Sequence, residues 1–229
     1  STFIYERALQ TSLKRVECKM KNKKIPLTLN IRFFMYEFFV FRNLRRMIGF
    51  DRVKRAVTGA APISPDLVKW FNALGIPLIE GYGMSETATV MTMNDPENNK
   101  VGTVGTWVPD ANVKISPEGE IQWKSPAVFA GYYNDNKRTS EAFTKDGYFK
   151  TGDKGKIEDG LLSITGRLKD IIITAGGKNI SPALIENYLK FSKYISDAIV
   201  IGDQRKYLTA LILIDQENVC LLYTSDAAT

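Results

Sequence analysis

The sequence contains no histidine and only two cysteines, Cys18 and Cys220, among 229 residues. Without histidine, Ser-His-Asp and Cys-His nucleophilic catalysis, His-ligated zinc and histidine general-base chemistry are excluded. Two cysteines so far apart build no disulfide framework and suit a reducing compartment, so a cytoplasmic location is expected. Long apolar runs are also missing. The longest, around Phe38–Phe41, is far short of the roughly 20 residues of a membrane-spanning helix. The first stretch carries Arg7, Lys14, Arg15 and Lys19 with no small-residue cleavage site, so no signal peptide is expected. Internal repeats and low-complexity tracts do not occur.

What is present is average for a folded protein: 44% apolar and 24% charged residues, enough for one sizeable domain or one domain and part of another. The net charge of +6 is unevenly placed. Residues 1–50 hold eleven Lys/Arg against Glu6, Glu17 and Glu37, a local +8, and the rest of the chain sums to −2.

Helical spacing of Ile4, Ala8, Leu9, Leu13 and Val16 predicts a helix over 3–20. An aromatic segment, Ile31–Leu44, follows the basic Lys21–Lys24, and Gly49 is the expected helix stop. From Val53 the texture alternates. Val53–Thr58 reads as a strand running into Gly59-Ala60-Ala61-Pro62. Ser64 caps a helix with Pro65 at its first position, Leu67, Val68, Phe71 and Leu74 form its buried stripe, and Gly75 ends it. Ile76–Glu80 is the next strand, leading into Gly81-Tyr82-Gly83-Met84-Ser85-Glu86. This is a β-α-β unit with a glycine-bearing loop after each strand, where open α/β sheets place ligands.

From about Val101 to Ile164 the pattern is all-β, with strands at Val113–Ile115, Glu120–Trp123, Gly155–Ile157 and Leu161–Ile164. A smaller α+β pattern begins near Leu168. Its pieces are strand Ile171–Thr174, a Gly176-Gly177 turn, helix Pro182–Lys190 capped by Ser181, and strands Ala198–Ile201 and Leu208–Ile214. Taken singly, each glycine loop fits an ordinary tight turn, and Thr151-Gly152-Asp153 is a common β-turn composition.

Their order is more specific. EGYGMSETA at 80–88, YFKTGD at 148–153 and GRLKDIIITAGGKNISPALIE at 166–186 together resemble the adenylate-forming (AMP-forming) acyl-CoA synthetase superfamily over roughly residues 40–215. The wording GYGMSET, IITAGGKNISP and IGDQRKYLTALI is most similar to long-chain or very-long-chain fatty acid–CoA ligases, including the bubblegum type. The resemblance implies an α/β fold: the C-terminal part of the large adenylate-forming domain (residues 1–167, with a β-barrel-like subdomain over about 100–165). The start of a small α+β C-terminal domain follows over 168–219, and residues 220–229 do not resemble the family.

The resemblance also implies the site. Gly59, Ala60 and Ala61 leave room for a flat adenine, and Tyr82 offers a ring face to stack on it. Glu80, Gly81, Gly83 and Met84 frame the same nucleotide loop. Ser85 would hydrogen-bond the α-phosphate and Glu86 would hold Mg²⁺, a hard cation that favours one or two carboxylates beside phosphates. Asp153 would accept both ribose hydroxyls, being acceptor-only when ionised, and Arg167 would grip the same ribose region. Lys169 matches the hinge about which the small domain turns, and Gly176 and Gly177 lie where a thin pantetheine arm would pass. The implied substrates are ATP, a fatty acid and coenzyme A. Two segments of the family pattern, a Ser/Thr/Gly-rich phosphate loop upstream and a lysine near the C-terminus, do not occur. The sequence is therefore expected to be an internal fragment without ligase turnover of its own.

Two other function classes remain open at this point. One is a different adenylate-forming ligase, for an amino acid or aryl acid. The other is a non-catalytic module that uses the basic N-terminal stretch on membrane or nucleic acid; under the ligase reading, membrane-surface contact through residues 14–41 is expected and nucleic-acid binding is not. The aromatics of that segment either pack on the large domain's core or settle into a lipid interface.

Overall fold

A computed structural model describes residues 2–21, 23–97 and 99–226, which divide into two compact units, residues 1–108 and 109–229. The division falls well before Leu168, where the sequence pattern changes to α+β.

The first unit opens with α1 (Thr2–Met20). A continuous second helix follows, composed of α2 (Leu27–Tyr36), a π-helical turn (Glu37–Phe41) and α3 (Arg42–Met47). Ala8, Phe41, Leu74 and Ile76 form the buried centre, with Tyr5, Phe33, Tyr36, Val40 and Phe71 packed around it. Polar contacts fix these helices to α4 (Pro65–Ala73). The Ser12 hydroxyl donates to the Ala73 carbonyl at 2.6 Å and Trp70 Nε1 donates to the Tyr5 hydroxyl at 3.1 Å. Arg45 pairs with Glu37 and also donates to the Leu74 carbonyl at 2.6 Å, satisfying a helix-end carbonyl of α4.

The caps of α4 fall where the sequence puts them. Ser64 Oγ accepts from Asp66 N, Pro65 is the first helical residue, and Gly75 N and Ile76 N bond back to Asn72 O and Phe71 O. Ile76 is thus part of the helix cap, and the strand after it begins two residues later than the sequence suggests. Strands β1 (Ala56–Thr58) and β2 (Leu78–Tyr82) pair in parallel with Thr58 opposite Glu80. Two short strands, β3 (Thr92–Met93) and β4 (Thr106–Trp107), extend the sheet antiparallel in the order β1-β2-β3-β4.

The second unit is led by an antiparallel meander, β5 (Asn112–Ile115), β6 (Glu120–Lys124), β7 (Phe149–Glu158) and β8 (Leu161–Arg167). This half-barrel buries Ile121, Trp123, Phe149 and Leu162. The region is not all-β: α5 (Asn136–Ala142) interrupts it, capped by Asp135 through a 2.8 Å bond from Arg138 N. Nothing in the strand-like alternation around it signals that turn of helix except the Asp cap. The smaller α+β portion holds the hairpin β9 (Ile172–Ile173) and β10 (Asn179–Ile180), helix α6 (Pro182–Lys190), the hairpin β11 (Ile195–Ile201) and β12 (Thr209–Ile214), and α7 (Gln216–Asp226). Helix α6 has the predicted bounds, but Ser181 makes no side-chain cap bond. Its hydroxyl instead lies over Gly166, 3.0 Å from where a β-carbon would stand.

Candidate active site

In the first unit, parallel pairing of β1 and β2 sets the two glycine-bearing loops side by side at the carboxyl ends of adjacent strands. They touch: a β-carbon on Gly59 would be 2.9 Å from the Gly81 carbonyl oxygen. Next to Gly59, Ala60 is left-handed (φ +68°), a conformation that costs an L-residue about 1–2 kcal/mol. Strain of this kind persists where surrounding structure over-determines the backbone, and it clusters at ligand clamps.

The second loop is closed on itself. Met84 O accepts from Thr87 N and Thr89 N at 3.1 and 3.0 Å, and Met91 N reaches Tyr82 O at 2.8 Å. Thr87, buried, both receives Met84 N and donates to Met84 O through its hydroxyl. This threonine was not singled out from the sequence, although its place in a Ser-Glu-Thr turn is the signal that could have found it. The result is a short 3₁₀ turn, Ser85–Thr87, that leaves Ser85 exposed and Glu86 half-buried.

Glu80 sits behind this loop, its carboxylate accepting from Gly102 N at 3.1 Å. Burial raises its proton affinity above the ordinary carboxylate range, and the Gly102 hydrogen bond offsets part of that rise. A carboxyl whose pKa is higher in the fold stabilises the fold below its unfolded value, near pH 4, and loses that contribution as pH climbs through the folded value. Glu80→Gln keeps an acceptor for Gly102 and removes the charge. Thermal melts across pH should therefore show E80Q at least as stable as the parent at neutral pH, with the difference closing toward about pH 4. A deficit that is largest at neutral pH would contradict the desolvation argument.

In the second unit, Thr151-Gly152-Asp153 is not a turn; it lies inside β7. Asp153 faces Arg167 across the β7–β8 ladder, next to a register shift at Lys154/Gly155. Only 5% of Asp153 is exposed, and its Oδ1 accepts from Arg167 Nε at 3.2 Å, whereas 69% of the Arg167 side chain is open to solvent. Thr151 anchors the position by donating to Ile121 O at 2.8 Å and accepting from Asp153 N at 3.1 Å. A second clamp is Gly152 N to Glu120 Oε1, 3.0 Å. A buried acceptor beside an exposed guanidinium can take hydroxyl protons with one group and hold an anionic or π face with the other.

Lys169 is exposed in the turn after β8. Gly176 and Gly177 form the β9–β10 hairpin turn, closed by Gly177 N to Thr174 O at 2.8 Å. Gly177 has φ +76° with open space where a side chain would go, so its backbone conformation, more than lack of room, is what calls for glycine. The structure thus gathers Gly59, Ala60 and the 80–86 loop in one unit, and Asp153 with Arg167 in the other.

The first unit is an α/β sheet with paired loops at the carboxyl ends of its parallel strands, and the second joins a half-barrel to a small α+β portion. Comparison with known protein families gives the class of protein. The model for "AMP-binding enzyme" matches residues 6–133 and that for "AMP-binding enzyme C-terminal domain" matches 169–225. The chain belongs to the AMP-binding enzyme family. Among curated relatives, long-chain-fatty-acid–CoA ligase FadD15 of Mycobacterium bovis is 42% identical over 192 residues, 83% of this chain and 32% of the relative. Long-chain-fatty-acid–CoA ligase ACSBG2 of Gallus gallus is 37% identical over 89% of this chain and 27% of its own length. The chain therefore spans about a third or less of the curated relatives it matches. Among solved structures, o-succinylbenzoate CoA synthetase (MenE) of Bacillus subtilis with its acyl-adenylate intermediate aligns with TM-score 0.65 at 27% identity, over 76% of this chain and 39% of that one. ATP-bound MatB of Rhodopseudomonas palustris aligns with TM-score 0.62 at 32% identity, over 75% and 37%.

Proposed function

We propose that the chain is part of a fatty acid–CoA ligase that activates a long-chain carboxylate with ATP and passes it to coenzyme A, each of its two units carrying nucleotide-binding residues of its own. The observation that carries the reading is the buried Asp153 carboxylate fixed beside the exposed Arg167 guanidinium, in a chain 42% identical to a long-chain-fatty-acid–CoA ligase.

The reaction has two steps. A carboxylate oxygen of the fatty acid attacks the α-phosphorus of ATP, the bond to the β-phosphate's bridging oxygen breaks, and pyrophosphate leaves. The sulfur of coenzyme A then attacks the acyl carbonyl carbon, its proton is lost, and AMP departs. Neither step needs histidine, because charge stabilisation and positioning dominate such transfers. Asp153 accepts the ribose hydroxyls and Arg167 closes over the same sugar. Within the first unit, the touching loops at Gly59 and Gly81 suit a planar base, and Ser85, exposed on its 3₁₀ turn, is a hydroxyl donor suited to a phosphate.

Magnesium would neutralise phosphate charge, with Glu86 as the residue that holds it. Among the described residues no cluster of three or more acidic, cysteine or histidine side chains gathers to cage a metal. One half-buried carboxylate nonetheless fits an ion that takes its other ligands from nucleotide and water. Lys169, exposed after the last half-barrel strand, is the proposed pivot of the small domain. The turn at Gly176-Gly177 is the proposed passage for the pantetheine arm.

Because the chain covers about a third of the relatives' length, binding is the measurement suited to it. A non-hydrolysable long-chain acyl-adenylate mimic at a hundred times its Kd should add about 2.7 kcal/mol of stability, a rise in Tm of roughly 5–10 °C for a chain of this size. At that same molar concentration, mimics carrying an amino acid or aryl acid in place of the alkyl chain should bind more weakly and protect less. Equal protection by all three would remove the long-chain assignment, and no protection by any would remove the ligase reading.

A further inference from the structure

Strand β7 slips its register against β6. Gln122 pairs with Lys150 and Glu120 with Lys154, so Ile121 alone on β6 faces Thr151, Gly152 and Asp153 on β7. Two extra residues make a bulge, and Gly152 at its centre is left-handed (φ +74°) with open space where a side chain would go. Bulges bend a strand and re-aim its side chains, and they recur beside active sites. A bulge also takes main-chain groups out of the ladder, and each then needs another partner. Two side chains and the chain just after β8 supply them. Gly152 N donates to Glu120 Oε1 at 3.0 Å, Asp153 N donates to Thr151 Oγ1 at 3.1 Å, and the same hydroxyl donates to Ile121 O at 2.8 Å. Leu168 N donates to Gly152 O at 2.8 Å, and beyond the bulge Gly155 N donates to Gly119 O at 3.0 Å.

We propose that Glu120 is a positioning residue for the ribose site: its carboxylate holds the bulge in β7, and the bulge aims the Asp153 carboxylate at the sugar's hydroxyls. This rests on the reading of Asp153 as the ribose acceptor. Glu120 touches no reacting atom and acts through one backbone amide. The peptide before Gly152 is held by Glu120, and the peptide after it, from which Asp153 springs, is held by Thr151 and Leu168. With both planes pinned, the two soft dihedrals of Gly152 are fixed. Without Glu120 the first plane is free to turn, and glycine resists such rotation less than any other residue. A binding group must be held to within about 0.5 Å and roughly 10–20° of its productive geometry. Arg167 is a poor clamp for that purpose, because 69% of its side chain is open to solvent.

The test measures how strongly the 229-residue chain prefers a ribose. Isothermal titration with the long-chain acyl-adenylate mimic and with its 2′,3′-dideoxy counterpart gives the ratio of the two Kd values. In the parent the ribose form should bind about 30-fold more tightly. Glu120→Ala should bring that ratio to about threefold or less, with Tm lower by about 2–4 °C. E120Q keeps an oxygen acceptor for Gly152 N and should retain the parental ratio. A merely structural role would weaken both ligands alike in E120A and leave the ratio unchanged, and that result overturns the proposal. So does an E120Q chain as indifferent to the hydroxyls as E120A, since charge and not the bond to Gly152 would then be at work. Should E120A unfold, E120D decides: its carboxylate is one methylene shorter and falls short of Gly152 N, so the same collapse of the ratio is expected. Unfolding of both makes the role structural and overturns the proposal as well. A parent chain without preference for the ribose form removes the reading of Asp153 itself. A parental preference that survives in E120A removes only the role of Glu120.

Discussion

Asp153→Asn should weaken binding of an acyl-adenylate mimic by roughly 10- to 100-fold while leaving the fold intact. The substitution preserves shape and removes one charge. An ionised carboxylate accepts two hydroxyl protons, whereas an amide offers one acceptor and turns two donors toward the ribose. Hydrogen bonds to charged groups are worth about 1.5–3 kcal/mol each, and losing their charged character at a buried position accounts for the expected range. Stability should barely respond. Arg167 is 69% exposed, so solvent screens the ion pair and its contribution is about 0–1 kcal/mol. The Thr151 bonds that fix the strand use its hydroxyl, Ile121 O and the backbone N–H of residue 153, all retained in the variant. Isothermal titration of parent and D153N decides the matter. Unchanged affinity with a folded variant removes Asp153 from the nucleotide site, and a large loss of Tm would make its role structural.

Gly83→Ala should be the most destabilising methyl that can be added to the 80–88 loop. An ideal β-carbon at Gly83 would stand 1.4 Å from the Thr89 carbonyl oxygen and 2.5 Å from its carbon. Those are backbone atoms, so no side-chain rotation relieves the overlap. The turn carrying Ser85 and Glu86 must instead open away from β2, breaking the bond from Thr89 N to Met84 O. We expect a loss of about 3 kcal/mol or more, a fall in Tm of roughly 6–12 °C, and loss of nucleotide protection. Gly102→Ala is the control. Gly102 is left-handed (φ +87°) with open space around it, so its variant carries only conformational strain of about 1–2 kcal/mol. Urea denaturation of both gives the comparison. A G83A chain as stable as G102A would mean that the loop does not close against Thr89 as described.

The local elements were legible where their causes are local. Ser64, Pro65 and Gly75 bracket α4, and Pro182 opens α6, because capping and the proline ring act within one turn of chain. The loops after β1 and β2 were legible for the same reason: each strand's glycines follow it directly. The all-β expectation over about 101–164 misses α5, since a seven-residue helix held by one Asp cap leaves no apolar period to detect. Thr151-Gly152-Asp153 was misread as turn composition because its strand partners, Ile121 and Arg167, lie about 30 and 14 residues away in the sequence.

The sequence by itself determined the family and the chemical types in the candidate site, because those reside in contiguous strings. It could not decide which aromatics of 27–47 enter the core. Phe33, Phe34, Phe38, Phe39 and Phe41 are equally apolar, and helical spacing alone gives them no inside or outside. Tertiary structure decided it: the π-helical turn adds a residue to the register, Phe41 and Phe33 face inward toward Leu74 and Ile76, and the remaining rings are left to solvent. The same holds for Asp153, whose burial depends on a strand ladder that only the folded chain assembles.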